Sequence, residues 1–133
     1  TLVSINKDNK TLEFAGANNP LWIIRQEAEG LELIEVKADK QPIGKFDYRK
    51  PFTNHTIQLQ EGDCIYLFTD GYADQFGGEQ GKKYKYKRFR ELLKSVESEA
   101  LKKQKEIIEE AFETWKGAHE QVDDVCIIGV KFN

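Results

Sequence analysis

The stretch YLFTDGYADQFGG, residues 66–78, starts as a buried strand should and then stops at an acid followed by glycine. Tyr66, Leu67 and Phe68 belong to the continuous apolar run CIYLFT at 64–69, which has the length and β-favouring content of a strand covered on both faces. Asp70-Gly71 ends it. A second apolar run, VCIIGVKF at 125–132, reads as another buried strand and is preceded directly by Asp123 and Asp124. If the two runs are antiparallel neighbours in one sheet, the end of the first lies beside the start of the second. Asp70 and Asp123 then share one sheet edge.

Two carboxylates held that close repel each other unless a proton or a cation lies between them. Hard divalent ions such as Mg2+ or Mn2+ prefer oxygen ligands and are the expected guests. Gly71 suits this arrangement, because a turn directly after the acid is eased by the absence of Cβ, and the backbone can come close to an ion or its waters. Spacing alone leaves a plainer alternative open: Asp-Gly after a strand is a common turn, and Asp before a strand is a common cap. Asp74 shares a helical face with Asp70 if a short helix starts at Gly71. It is then either a further ligand or, more simply, an acid beside the helix N-terminus.

Working outward, the first half of the chain reads as strands. LEFAGA at 12–17 and PLWIIR at 20–25 flank the turn-prone pair Asn18-Asn19, which predicts a hairpin. Glu29-Gly30 marks the return into LELIEVK at 31–37, residues 38–52 with Pro42, Gly44 and Pro51 read as a loop, and HTIQLQ at 55–60 resumes strand alternation. The second half changes period. Phe89, Leu92, Leu93 and Val96 recur at helical spacing, and a second helical pattern runs from Leu101 to Trp115 with Gly117 as its C-cap. Strands, then two helices, then a last strand predict an α+β fold, with mainly antiparallel β-sheet layers covered by the helices.

Hydrophobic residues at 39%, charged residues at 32% and aromatics at 11% describe a globular domain, neither disordered nor membrane-embedded. No apolar run approaches the roughly 20 residues of a spanning helix, so the segment is expected to be cytoplasmic, with no direct membrane contact. The chain starts at Thr1 inside a strand pattern, which suggests a segment of a longer protein. Cys64 and Cys126 both lie in apolar runs without metal-binding spacing and are read as buried, reduced thiols. The net charge of −3 disfavours a nucleic-acid surface, apart from the local run KKYKYKRFR at 82–90. That run is read as a solvated helix start, or as a docking surface for an acidic or phosphorylated partner. His55 and His119 are taken as surface or structural residues, and Trp22 and Trp115 as packing residues.

The ordered series AGANNPLWIIR, QPIG, GDCIYLFTDGYADQFGG, a basic stretch with two helices, and QVDDVCIIGVKF resembles the C-terminal half of the metal-dependent PPM (2C-type) serine/threonine phosphatases, in the SpoIIE-like branch that regulates sigma factors. The resemblance runs from about Leu2 to Phe132. It implies that residues 1–133 are the C-terminal portion of a single phosphatase domain, an incomplete α/β/β/α sandwich. By position, Asp70 and Asp123 would each give a carboxylate to a binuclear Mn2+ or Mg2+ centre, with Gly71, Asp124 and Asp74 supporting it. Asp124 stands where relatives often carry Asn, and Asp74 where the family often has Glu. The implied reaction is metal-activated hydrolysis of phosphoserine or phosphothreonine on a regulatory protein, such as an anti-anti-sigma factor, with no cysteine nucleophile and no side chain assigned as catalytic.

Two departures matter. The family segment N-A-G-H-x-P reads here as Gly16-Ala17-Asn18-Asn19-Pro20 without histidine, and the family's N-terminal half, with its own metal-binding aspartate, is not among these residues. The chain alone is therefore expected to have little or no activity, and its open sheet edges predict self-association. Two other classes stand beside the enzyme: a catalytically dead phosphatase-like module that binds a phosphoprotein, and a nucleic-acid binder using the basic run.

Overall fold

A computed structural model describes all residues from Thr1 to Asn133. Their contacts fall into two compact units, Thr1–Phe68 with Val130–Asn133, and Thr69–Gly129.

The first unit is built from six strands: β1 (Leu2–Asn6), β2 (Thr11–Ala15), β3 (Leu21–Glu27), β4 (Gly30–Val36), β5 (His55–Gln58) and β6 (Cys64–Phe68). One sheet has the order β1-β2-β5; the other has the order β4-β3-β6-β9, where β9 is Ile127–Lys131. The pairings β1 with β2, β2 with β5, β3 with β4 and β3 with β6 are all antiparallel. Leu12, Phe14, Leu21, Ile23, Val36, Leu59, Ile65 and Phe132 form the buried core. The apolar run at 64–69 is covered as expected, with Cys64, Ile65 and Tyr66 buried. Arg25 grips the buried Asp63 in two hydrogen bonds of 2.9 and 2.7 Å, and that contact holds the guanidinium pKa up. It fixes the tight turn that feeds β6.

The predicted hairpin across Asn18-Asn19 does not form. β2 and β3 enter different sheets, and the connection between them pairs with residues 38–39 instead: Ala17 bridges Asp39 in parallel, and Asn18 N–H donates to Asp39 O at 2.8 Å. Asn18 sits at φ +63°, a left-handed conformation that Asn tolerates, so the local turn signal is spent on a crossover. Gly16 is required there, since a Cβ would lie 2.5 Å from the tip of the Phe14 ring and 2.8 Å from the Ala38 methyl group.

The last strand also departs from its expected burial. β9 is the outer strand of its sheet, paired on one side only, and it leaves Ile128 and Val130 exposed. Cys126, just before it, is exposed rather than buried, whereas Cys64 is buried.

The second unit holds α1 (Gly71–Asp74), β7 (Phe76–Gly77), β8 (Lys82–Lys83), α2 (Tyr86–Ser95) and α3 (Leu101–Lys116). The mixed α+β architecture stands, with a one-turn third helix and a small β7-β8 hairpin added. Lys82–Lys83 pairs as strand, so the basic run becomes helical only from Tyr86. Tyr72 is the hub of this unit: its ring stacks on Phe89 at 4.6 Å and packs on Phe112 and Tyr84, while its hydroxyl donates to Ile108 O at 2.8 Å. α3 ends at Gly117 with φ +53°, the C-cap that the sequence predicts. No helix is long and apolar enough to cross a membrane.

Candidate functional site

The acids singled out in the sequence all belong to the second unit: Asp74 ends α1, and Asp70, Asp123 and Asp124 lie on two loops stitched together by Thr69. The backbone N–H of Thr69 donates to Cys126 O at 3.0 Å. Its hydroxyl Oγ1 donates to Asp124 O at 2.7 Å and accepts from Cys126 N–H at 3.0 Å. A threonine thus continues the strand pairing with its side chain where regular β geometry ends.

Gly71 completes the junction. A Cβ at this position would collide with the carbonyl oxygen of Asp124 and lie 3.2 Å from Val125 Cγ2. What the structure sets against Gly71 is therefore the backbone of the second acid loop. The lack of a side chain lets the two loops touch.

On these loops Asp70 is exposed and precedes α1, with its carbonyl accepting from Asp74 N–H at 2.9 Å. Its carboxylate caps no N–H of the helix and remains available to a ligand. Asp123 is also exposed, and its Oδ1 accepts from Asp124 N–H at 2.8 Å. Asp124 contributes its backbone to the Thr69 clasp. Asp74 pairs with Lys83 at 3.0 Å, an exposed contact that ties α1 to the β7-β8 hairpin.

Sequence reasoning passed over Gln75. It is 1% exposed, and its side-chain amide donates to Phe76 O and Glu120 O, both at 2.9 Å. Its backbone carbonyl accepts from the Trp115 indole N–H at 3.0 Å and from Tyr84 N–H at 2.9 Å. Gln75 thereby holds the segment leading to Asp123 against the end of α1. A polar residue between two turns carries no pattern that would mark it. Gly77 had a signal, the FGG pair after the motif, and it answers to close packing on the Trp115 carbonyl. His119 rests its Nδ1 3.1 Å from Lys116 O, beside the β7-β8 hairpin.

Chemically, the two loops offer hard oxygen donors, the type that Mg2+ and Mn2+ take. No group of three or more His, Cys, Asp or Glu side chains gathers to hold an ion. Mg2+ requires about six ligands in near-octahedral array, so these residues fit one side of a metal centre by donor chemistry and supply only part of it by number.

The fold is that of PP2C-type phosphatase domains. The structure superposes on the SiaA-PP2C domain of Pseudomonas aeruginosa with a TM-score of 0.86 and 30% identity, covering 98% of this chain and 50% of that one. It also superposes on the Mn-presoaked phosphatase domain of the cell fate determinant SpoIIE from Bacillus subtilis, with a TM-score of 0.69 and 16% identity, covering 99% of this chain and 55% of that one. The sequence matches the stage II sporulation protein E (SpoIIE) family over residues 1–133, and the chain belongs to that family. It spans about half the length of these solved phosphatase domains. A comparison with curated proteins gives no match.

Proposed function

We propose that this chain is the C-terminal portion of a PPM-type phosphatase domain that hydrolyses phosphoserine or phosphothreonine on a regulatory protein, with Asp70 and Asp123 as its contribution to a Mn2+ or Mg2+ centre. The observation that carries this reading is the clasp of Thr69 and Gly71 on Asp124, which holds two loops together while leaving the Asp70 carboxylate without a partner on its helix. When bound, divalent cations supply Lewis-acid activation of water and offset charge on the phosphoryl group.

The chain's own residues perform the positioning. Asp70 is held at the start of α1 by the bond from Asp74 N–H to its carbonyl and follows directly on the clasped Thr69. Asp123 is oriented by the hydrogen bond from Asp124 N–H and by the segment that Gln75 anchors. Asp74, neutralised by Lys83, steadies α1. With a partial ligand set, the chain alone binds metal weakly and has little activity.

The test is Mn2+-dependent hydrolysis of p-nitrophenyl phosphate by the intact domain that contains this chain, alongside Asp70→Asn, Asp123→Asn and the 133-residue chain by itself. Activity confined to the intact wild type supports the reading. An intact domain without activity would favour a phosphoprotein-binding module.

A further inference from the structure

Apart from Lys83, which pairs with Asp74, the basic run takes no part in the hydrolysis reading, yet in the second unit it lines a pocket of about 440 Å3. That volume lies within the range of ligand sites. Lys82, Lys83, Lys85, Lys87 and Arg88 face it against one acid, Glu79. Lys83 is paired with Asp74, whereas Lys82, Lys85 and Lys87 form no ion pair. Like charges crowded into a concave wall repel, and an anionic partner relieves them.

Two features make the wall a built one. The Arg88 guanidinium lies over the Trp115 ring at 4.4 Å, and that ring is fixed by its hydrogen bond to Gln75 O and by the edge of Tyr84 at 5.4 Å. A stacked guanidinium keeps its donor fork free and loses little further freedom on binding a carboxylate. Lys85 adopts φ +74°, ψ +149°, a region that is essentially glycine's own. It is pinned there by Lys85 N–H to Ala73 O at 2.7 Å, at the start of a helix with no acid in its first turn. A lysine tolerated where glycine fits better points to a use for its charge.

We propose that this pocket docks an acidic segment of a protein partner, with successive Asp or Glu side chains meeting the unpaired lysines and Arg88. A single phosphate group carries only about −2, less than this wall can match. Nucleic acid calls for an extended basic surface, and the chain as a whole carries a net charge of −3. None of these cations is a proposed metal ligand, so the inference stands or falls apart from the phosphatase reading.

The experiment is fluorescence anisotropy of dye-labelled hexaglutamate with the full chain, at low and high salt, with inorganic phosphate and a single-stranded oligonucleotide as competitors. The expected result is salt-sensitive binding that phosphate and oligonucleotide displace poorly. Lys82→Glu combined with Lys87→Glu should weaken it about tenfold or more. Lys85→Gly should raise Tm, by relieving the backbone, while lowering affinity. Absence of binding, affinity unchanged in both variants, or stronger binding of phosphate or the oligonucleotide would overturn the proposal.

Discussion

The Thr69 hydroxyl donates a 2.7 Å hydrogen bond to the backbone carbonyl of Asp124, and this bond helps join the loop carrying Asp70 to the loop carrying Asp123. The same oxygen accepts from Cys126 N–H. Thr69→Val keeps the shape and removes both bonds. Asp124 and Cys126 are exposed, so water takes over part of what is lost; urea unfolding should show a net loss of about 0.5–1.5 kcal/mol, with Thr69→Ser restoring most of it. A Val variant as stable as wild type would remove the clasp from the account.

Gly71→Ala tests the close approach of the loops. The added methyl group meets the Asp124 carbonyl, which is backbone and yields only if the loop moves. Overpacking of this kind costs about 1–3 kcal/mol. The same denaturant measurement checks it, and a neutral substitution would show that the loops are not held in contact.

Gln75→Leu should destabilise the second unit although the side chain stays buried and similar in size. The amide's bonds to Phe76 O and Glu120 O are lost; both acceptors lie on exposed residues that water can reach, so the loss is about 0.5–1.5 kcal/mol per bond. Hydrogen exchange should report faster opening of the segment from 118 to 124 than of α3. Uniform protection in wild type and variant would contradict the anchoring role.

Tyr72 gives a pH dependence. Burial disfavours its phenolate and pushes the pKa up, so the folded chain holds the proton after the unfolded chain has released it. The stabilisation is complete below the ordinary phenol range, near pH 10, and is lost as pH rises above it. Thermal unfolding followed from neutral to alkaline pH should show Tm falling there, and Tyr72→Phe should flatten the fall while losing the hydroxyl bond to Ile108 O. An unchanged alkaline slope in Tyr72→Phe would assign the effect to other groups.

How far the sequence revealed this structure varied with the kind of signal. The run at 64–69 and the periods of α2 and α3 are properties of short segments, and each formed as read. The choice of sheet for β2 and β3 is not local: Asn18-Asn19 signals a change of direction but does not encode pairing with residues 38–39. The exposure of β9 was hidden for a similar reason, since apolar content does not reveal which strand ends up at a sheet edge. Around the candidate site, the acid-glycine pattern singled out the loops of Asp70-Gly71 and Asp123-Asp124, which the structure brings into contact. The contact that Gly71 makes, and the buried amide of Gln75, depend on neighbours distant in the chain and left no mark on spacing.

The central claim is that Asp70 and Asp123 serve one metal centre. Mn2+ binding to the intact phosphatase domain, followed by electron paramagnetic resonance, tests it without relying on turnover. Asp70→Asn and Asp123→Asn should each weaken binding by at least about tenfold, a cost of about 1.4 kcal/mol, with folding intact by circular dichroism. Wild-type Mn2+ affinity in both variants would contradict the assignment.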